Sequence, residues 1–238
     1  MVSKAVTVEE RLRLVRARIE RASWKSGRDP AGITLIAVSK GVHAAAAREA
    51  WSLGVTDFGE NRVQEARLKI PEAGVNAHWH LIGHLQTNKI RPALPLFEMF
   101  HSLDRVDLAL ELQRQCERLD LNCHALVQVN IAGEDTKSGV SPPGLPELLG
   151  RLQTLDRISV EGLMTIAPYT DDAETVRPVF RELARLGREI EDRGYSRVRI
   201  KHLSMGMSGD FEVAIEEGAT MVRVGTAIFG PRPKPLTV

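Results

Sequence analysis

Eight short apolar runs, each followed by a longer polar or amphipathic stretch, govern what this chain can fold into. The runs fall at residues 33–39, 55–59, 78–83, 99–103, 124–131, 160–166, 198–204 and 221–225. Most are rich in β-branched or aromatic residues and bounded by turn formers, the pattern of strands. The stretches 44–53, 62–69, 106–119, 145–155 and 175–192 read as helices. In the last of these, Val176, Phe180, Leu183, Gly187 and Ile190 mark one buried face. Strands alternating with helices, without a linker or composition break, pair in parallel within one sheet. Eight such units predict an α/β fold of one closed (β/α)8 TIM barrel. An open doubly wound sheet is the alternative, but no G-x-G-x-x-G or Walker A turn occurs in the sequence.

Ahead of the first strand, Thr7 and Glu10 form a capping box, and Val8, Leu12, Val15, Ile19 and Ala22 follow at helical spacing. An extra N-terminal helix over residues 7 to about 23 is therefore expected. At 238 residues the chain has the size of one such barrel, so residues 1–238 are expected to form a single domain.

Composition narrows the partners. A net charge of +1 gives no electrostatic footprint for nucleic acid or an anionic membrane. No apolar stretch reaches the length of a membrane span, and the N-terminus carries no signal-like apolar segment. Cys116 and Cys123 have no metal-ligand spacing and resemble a reduced complement. A cytoplasmic protein is expected.

In a barrel of this kind, chemistry gathers at the carboxyl ends of the strands. The first strand ends in Ser39-Lys40-Gly41. A lysine there either reaches water or is held where its amine is hard to solvate, which lowers its pKa and suits it to carbonyl chemistry. The other ends carry Asn, Gln, Ser, Thr, Gly and His instead of the Lys/Glu/Asp of a solvated face. In the last two segments, Ser204, Gly206, Gly225 and Thr226 have the makings of a phosphate cradle, with a helix expected near Gly209-Asp210. Arg223 alternates with Met221 and Gly225, so it is predicted to point inward. A second reading comes from His78-x-His80, the spacing that opens the metal site of hydrolase barrels, with His101, His202 and Asp104 as further ligands. That reading leaves Lys40 and the small-residue loops unexplained, and no metal site is expected.

Taken together, the blocks Ala37-Val38-Ser39-Lys40, Phe58-Gly59-Glu60-Asn61, Trp79-His80-Leu81-Ile82-Gly83 and the tail from Leu203 to Gly230 resemble the pyridoxal-phosphate homeostasis proteins (the YggS/PROSC type). The resemblance spans nearly everything after residue 30. It implies the alanine-racemase-like barrel, with pyridoxal 5′-phosphate (PLP) in an aldimine with Lys40. It further implies Ser204, Gly225 and Thr226 on the phosphate, Arg223 near the pyridine nitrogen and Asn61 beside the cofactor. Gly41-Val42-His43 and Arg62 depart from the family pattern.

An arginine at the pyridine nitrogen makes the ring a weak electron sink, unlike the carboxylate of transaminases. Racemisation would also need a second acid/base, which racemases take from a domain following the barrel. Tyr169 and Tyr195 are the tyrosines of this chain, the first in a loop and the second before the seventh strand. The expectation is a PLP-binding, PLP-supplying protein with no catalytic residue, whose partners are PLP and PLP-dependent apo-enzymes. A racemase-like enzyme is the alternative, and a metal-dependent hydrolase ranks below it.

Overall fold

The computed structural model describes residues 6–134 and 136–231. Its strands are β1 (Thr34–Val38), β2 (Asp57–Glu60), β3 (His78–Leu81), β4 (Met99–Leu103), β5 (Cys123–Gln128), β6 (Ile158–Met164), β7 (Val198–Ser204) and β8 (Met221–Val224). The helices are α1 (Val8–Lys25), α2 (Ala44–Ser52), α3 (Val63–Ala73), α4 (Ile90–Ala93), α5 (Val106–Leu119), α6 (Leu145–Leu152), α7 (Arg177–Arg193), α8 (Phe211–Glu216) and α9 (Thr226–Phe229). Each strand pairs in parallel with the next, and β8 returns to β1 through Thr34↔Met221 and Ile36↔Arg223. The barrel is closed, and the open-sheet alternative falls.

The expected strands are all present, with shifts at their ends. β2 begins at Asp57 instead of residue 55 because the Val55 amide bonds back to the Ala50 carbonyl at the end of α2. β5 stops at Gln128, where the chain turns and Val129 bridges to Val140. α4 and α9 lack an apolar periodicity because each has only four residues.

The N-terminal helix has a structural reason. Among the described residues, the chain after β8 makes only the single turn of α9, too short to cover that side of the barrel. α1 supplies the cover by packing against α8, α9 and α2. Leu12, Val15, Ile19 and Ala22 are its buried apolar residues, and the Glu10 amide donates to Thr7 Oγ1 at 3.2 Å to cap it. Across this contact Arg18 pairs with Glu212 at 2.7 Å and lies 4.5 Å above the Phe211 ring.

Strand alternation divides the core in two. One set of side chains, including Ala37, Phe58, Phe100 and Val222, packs between strands and helices. The other, Ile36, Met99, Leu126, Met164 and Met221, fills the barrel itself as a separate apolar layer. Polar side chains lie further along β4 and β8, His101 and Arg223, and on β3 and β7, His80 and Ser204, all buried. The inward direction predicted for Arg223 follows from this register.

Candidate functional site

At the carboxyl ends of the strands lies a cavity of about 450 Å³ lined by Lys40, Asn61, Arg223, Gly225 and Thr226 together with Ser208. Of the six residues expected at the site, five line this one space. Ser204 is placed differently. Its hydroxyl is buried, accepts from Arg223 Nη1 at 2.6 Å and lies 3.0 Å from His101 Nδ1. The serine on the cavity wall is Ser208, whose Oγ accepts from the Ala227 amide at 3.3 Å. The physical reason is register. Ser204 is the last residue of β7 and faces into the barrel, whereas Ser208 lies beyond Gly206 in the loop that carries the chain over the rim. Gly206 makes that turn possible with φ +90°, and a β-carbon there would sit 2.7 Å from the Ala214 side chain.

Lys40 is held from both sides by a buried ionic cluster that the sequence did not reveal. The Ser39 hydroxyl donates to Glu60 at 2.6 Å, and the Ser39 carbonyl accepts from Lys69 Nζ at 2.5 Å. On the other flank, the Gly41 amide donates to Glu65 at 2.5 Å. Lys69 joins the two carboxylates, 2.7 Å from Glu60 and 2.8 Å from Glu65. Glu60 is fully buried, and burial raises its pKa despite the hydrogen bonds from Lys69 and Ser39. For Glu65, burial pushes up, but Lys69 and the Gly41 amide outweigh it and the pKa falls. A lysine inside a helix normally reads as solvent-facing. Its period in 62–69 gave no sign that position 69 meets Glu60.

Asn61 follows Glu60 at the end of β2. The Gly83 backbone passes so close that a β-carbon there would lie 2.3 Å from the Asn61 carbonyl oxygen. Arg223 donates to the Thr165 carbonyl at 2.8 Å besides Ser204. Burial pushes its pKa down to about 10, against the attraction of Asp210, and it remains a cation at neutral pH. Asp210 shares the cavity wall; burial raises its pKa, opposed by the Met207 amide that donates to it at 2.5 Å.

Other expectations resolve as follows. Tyr169 stands at the cavity edge, 92% exposed, with its hydroxyl 3.2 Å from Asp171. Tyr195 packs on the other side, in a hollow with α6 and α7 residues. Arg62 lines a neighbouring hollow with His84 and Lys89, so its departure from the family pattern falls outside the main cavity wall. The two nitrogens of His80 are both spent on protein partners, Asp57 and His101, each at 3.0 Å. Among the described residues, no group of three or more His, Cys, Asp or Glu is arranged to hold a metal ion. Cys116 and Cys123 are buried and unbridged, and no helix among the described residues is long and apolar enough to cross a membrane.

A closed parallel barrel with a lysine after its first strand and an inward arginine on its last defines a class, and the family "Alanine racemase, N-terminal domain" matches residues 15–233. The alanine racemase of Clostridium difficile 630 shares the fold at a TM-score of 0.68 and 18% identity; 95% of this chain covers 58% of that one. Much nearer in sequence are two curated relatives. The pyridoxal phosphate homeostasis protein of Aquifex aeolicus is 46% identical, covering 94% of this chain and 97% of the relative. That of Pseudomonas aeruginosa is 42% identical, at 95% and 96% coverage. PipY of Synechococcus elongatus PCC7942, solved with PLP bound, has a TM-score of 0.83 and 37% identity; the match covers 94% of this chain and all of PipY. The chain belongs to the pyridoxal phosphate homeostasis protein family.

Proposed function

We propose that this chain binds PLP in the cavity at the carboxyl ends of its strands, with Lys40 as the covalent attachment residue, and that it holds and supplies PLP inside the cytoplasm. The observation that carries the reading is the convergence of Lys40 and Arg223 on one cavity that also presents Ser208, Gly225 and Thr226. PLP, when bound, supplies an aldehyde for a lysine amine and a ring whose electron demand depends on what faces its nitrogen. The residues present fit that group. Lys40 offers the amine, held in place by the Ser39 and Gly41 contacts on either side. Gly225, Thr226 and Ser208 offer backbone and hydroxyl donors suited to a phosphate. Arg223, tied to Ser204 and Thr165, offers a fixed donor to the ring nitrogen. Asn61 lies on the same cavity wall. The Ser204 hydroxyl, expected on the phosphate, serves in this reading to hold Arg223.

Supply rather than turnover is favoured by the same residues. A cationic arginine at the ring nitrogen keeps it unprotonated and weakens the ring as an electron sink. The phenol of Tyr169 is turned to Asp171 in solvent instead of being set into the cavity. PLP-dependent apo-enzymes are the proposed recipients, and the whole of 1–238 is proposed to act as one unit.

The test is direct. The purified protein incubated with PLP gains a visible absorbance band, and borohydride reduction with peptide mapping places the pyridoxyl group on Lys40. The loaded protein then activates a PLP-dependent apo-enzyme while exchanging no α-proton of L- or D-alanine. An unchanged band and label in Lys40→Ala overturns the site. Rapid α-deuterium incorporation that is lost in Tyr169→Phe overturns the supply reading in favour of a racemase.

A further inference from the structure

A line of polar side chains, buried at all but its outer end, runs through the barrel from its amino-terminal face to the cavity. Asp57 Oδ1 lies 3.0 Å from His80 Nε2, His80 Nδ1 lies 3.0 Å from His101 Nε2, and His101 Nδ1 lies 3.0 Å from Ser204 Oγ. Ser204 Oγ in turn accepts from Arg223 Nη1 at 2.6 Å. Five strands contribute one residue each, β2, β3, β4, β7 and β8. His101 and Ser204 are fully buried, and His80 and Arg223 are each 4% exposed. At the outer end, Asp57 borders a separate hollow of about 440 Å³ with Arg16, Glu20 and Thr34.

The chemistry of the two ends admits one continuous run of donors and acceptors between them. Arginine only donates and a carboxylate only accepts. Ser204 Oγ therefore accepts from Arg223, which leaves its own O–H to donate to His101 Nδ1. His101, whose pKa burial holds well below the usual histidine range, is neutral and carries its proton on Nε2, donating to His80 Nδ1. His80 then donates from Nε2 to Asp57. Burial pushes the Asp57 pKa up, but the hydrogen bonds from His80 and Thr56 outweigh it and keep the carboxylate ionised. In this arrangement each hydrogen bond of the line has one donor and one acceptor. Reversing the His101 tautomer would give Ser204 two donors and leave its buried O–H without an acceptor along the line.

We propose that Asp57, His80, His101 and Ser204 are positioning residues for Arg223, forming a directed hydrogen-bond line that sets the arginine's orientation and relays to it the negative charge of Asp57. The motive is that Arg223 is a buried cation with no carboxylate within ion-pair distance among the described residues. Buried charges are tolerated when they are compensated. Asp210 attracts it from a distance, and the line brings a second anion to bear through polarised bonds. Its consequence for the cofactor rests on the PLP reading, through the arginine that faces the ring nitrogen.

Two measurements separate the line from that reading. In the apo-protein, 15N-labelled histidine spectra should show His80 and His101 both with the proton on Nε2. A His101 proton on Nδ1 overturns the proposal, whatever the protein binds. In the PLP-loaded protein, Asp57→Asn keeps an acceptor for His80, removes the charge and replaces the oxygen that accepts from Thr56. The tautomers should persist while the visible band of the bound cofactor shifts. A band unmoved with both tautomers retained overturns the relayed charge. If the wild-type protein gains no PLP band, the PLP reading fails and the tautomer measurement still judges the line.

Discussion

Replacing Lys69 by methionine removes a charge that three partners share while keeping most of the side chain's length. Lys69 Nζ is bonded to Glu60, Glu65 and the Ser39 carbonyl, and both Lys69 and Glu60 are buried, at 5% and 0% exposure. Glu60 would be left with only the Ser39 hydroxyl; its second carboxylate oxygen already has no partner among the described residues. Breaking a buried ion pair from one side costs about 3–5 kcal/mol. For a chain of this size that corresponds to a fall in Tm of about 6–20 °C. The loss depends on pH with a definite sign. Glu60, with its folded pKa raised further in the variant, takes up a proton on mild acidification, which removes the uncompensated charge. Glu65 contributes nothing over this range: its depressed pKa gives the wild type stability that is complete above the unfolded value of 4.5 and is lost only in stronger acid. The gap between wild type and Lys69→Met should therefore narrow from pH 8 to pH 5. Differential scanning calorimetry of both proteins across that range is the assay. Because the cluster flanks Lys40, the variant should also load PLP more weakly at pH 8. A Tm within 2 °C of wild type at pH 8, or a gap that widens in acid, would refute the electrostatic account of this cluster.

Ser208→Ala should weaken PLP by about one to two decades, the worth of one charge-assisted hydrogen bond of roughly 1.5–3 kcal/mol, while hardly affecting pyridoxal, which lacks the phosphate. Ser204→Ala should weaken both ligands alike, since it acts through Arg223; parallel titrations by absorbance distinguish the two serines. Gly83→Ala forces a β-carbon to within 2.3 Å of the Asn61 carbonyl, and such overpacking costs about 1–3 kcal/mol. Urea unfolding should show that loss, together with weaker PLP binding because Asn61 must move; an unchanged midpoint would mean that the two loops separate freely.

The barrel was legible because its signals are local. Period-2 runs such as Val198–Ser204 and amphipathic stretches such as Val106–Leu119 appear where the alternation of the sequence places them. The capping box of Thr7 and Glu10 needs only three residues of separation to be read. Strand ends also disclose which residues approach the rim, and so Lys40, Arg223 and Thr226 could be named in advance.

What closure of the barrel alone decided is which distant side chains meet. Lys69 sits on a helix whose pattern is that of a surface face, yet its ammonium meets Glu60, Glu65 and the Ser39 carbonyl, residues that come together only when β1, β2 and the helix are packed. Ser204 and Ser208 are four residues apart and chemically alike, but strand register sends one hydroxyl into the barrel and the other to the cavity wall. His78 and His80 looked like the start of a metal site by spacing, with His101 as a further ligand. The barrel instead interposes His80 and His101 between Asp57 and Ser204, where the nitrogens that a metal would require are bonded within the protein. Local sequence specifies the direction in which each strand presents its residues. Only the simultaneous placement of all the strands around one axis specifies what each residue finds there.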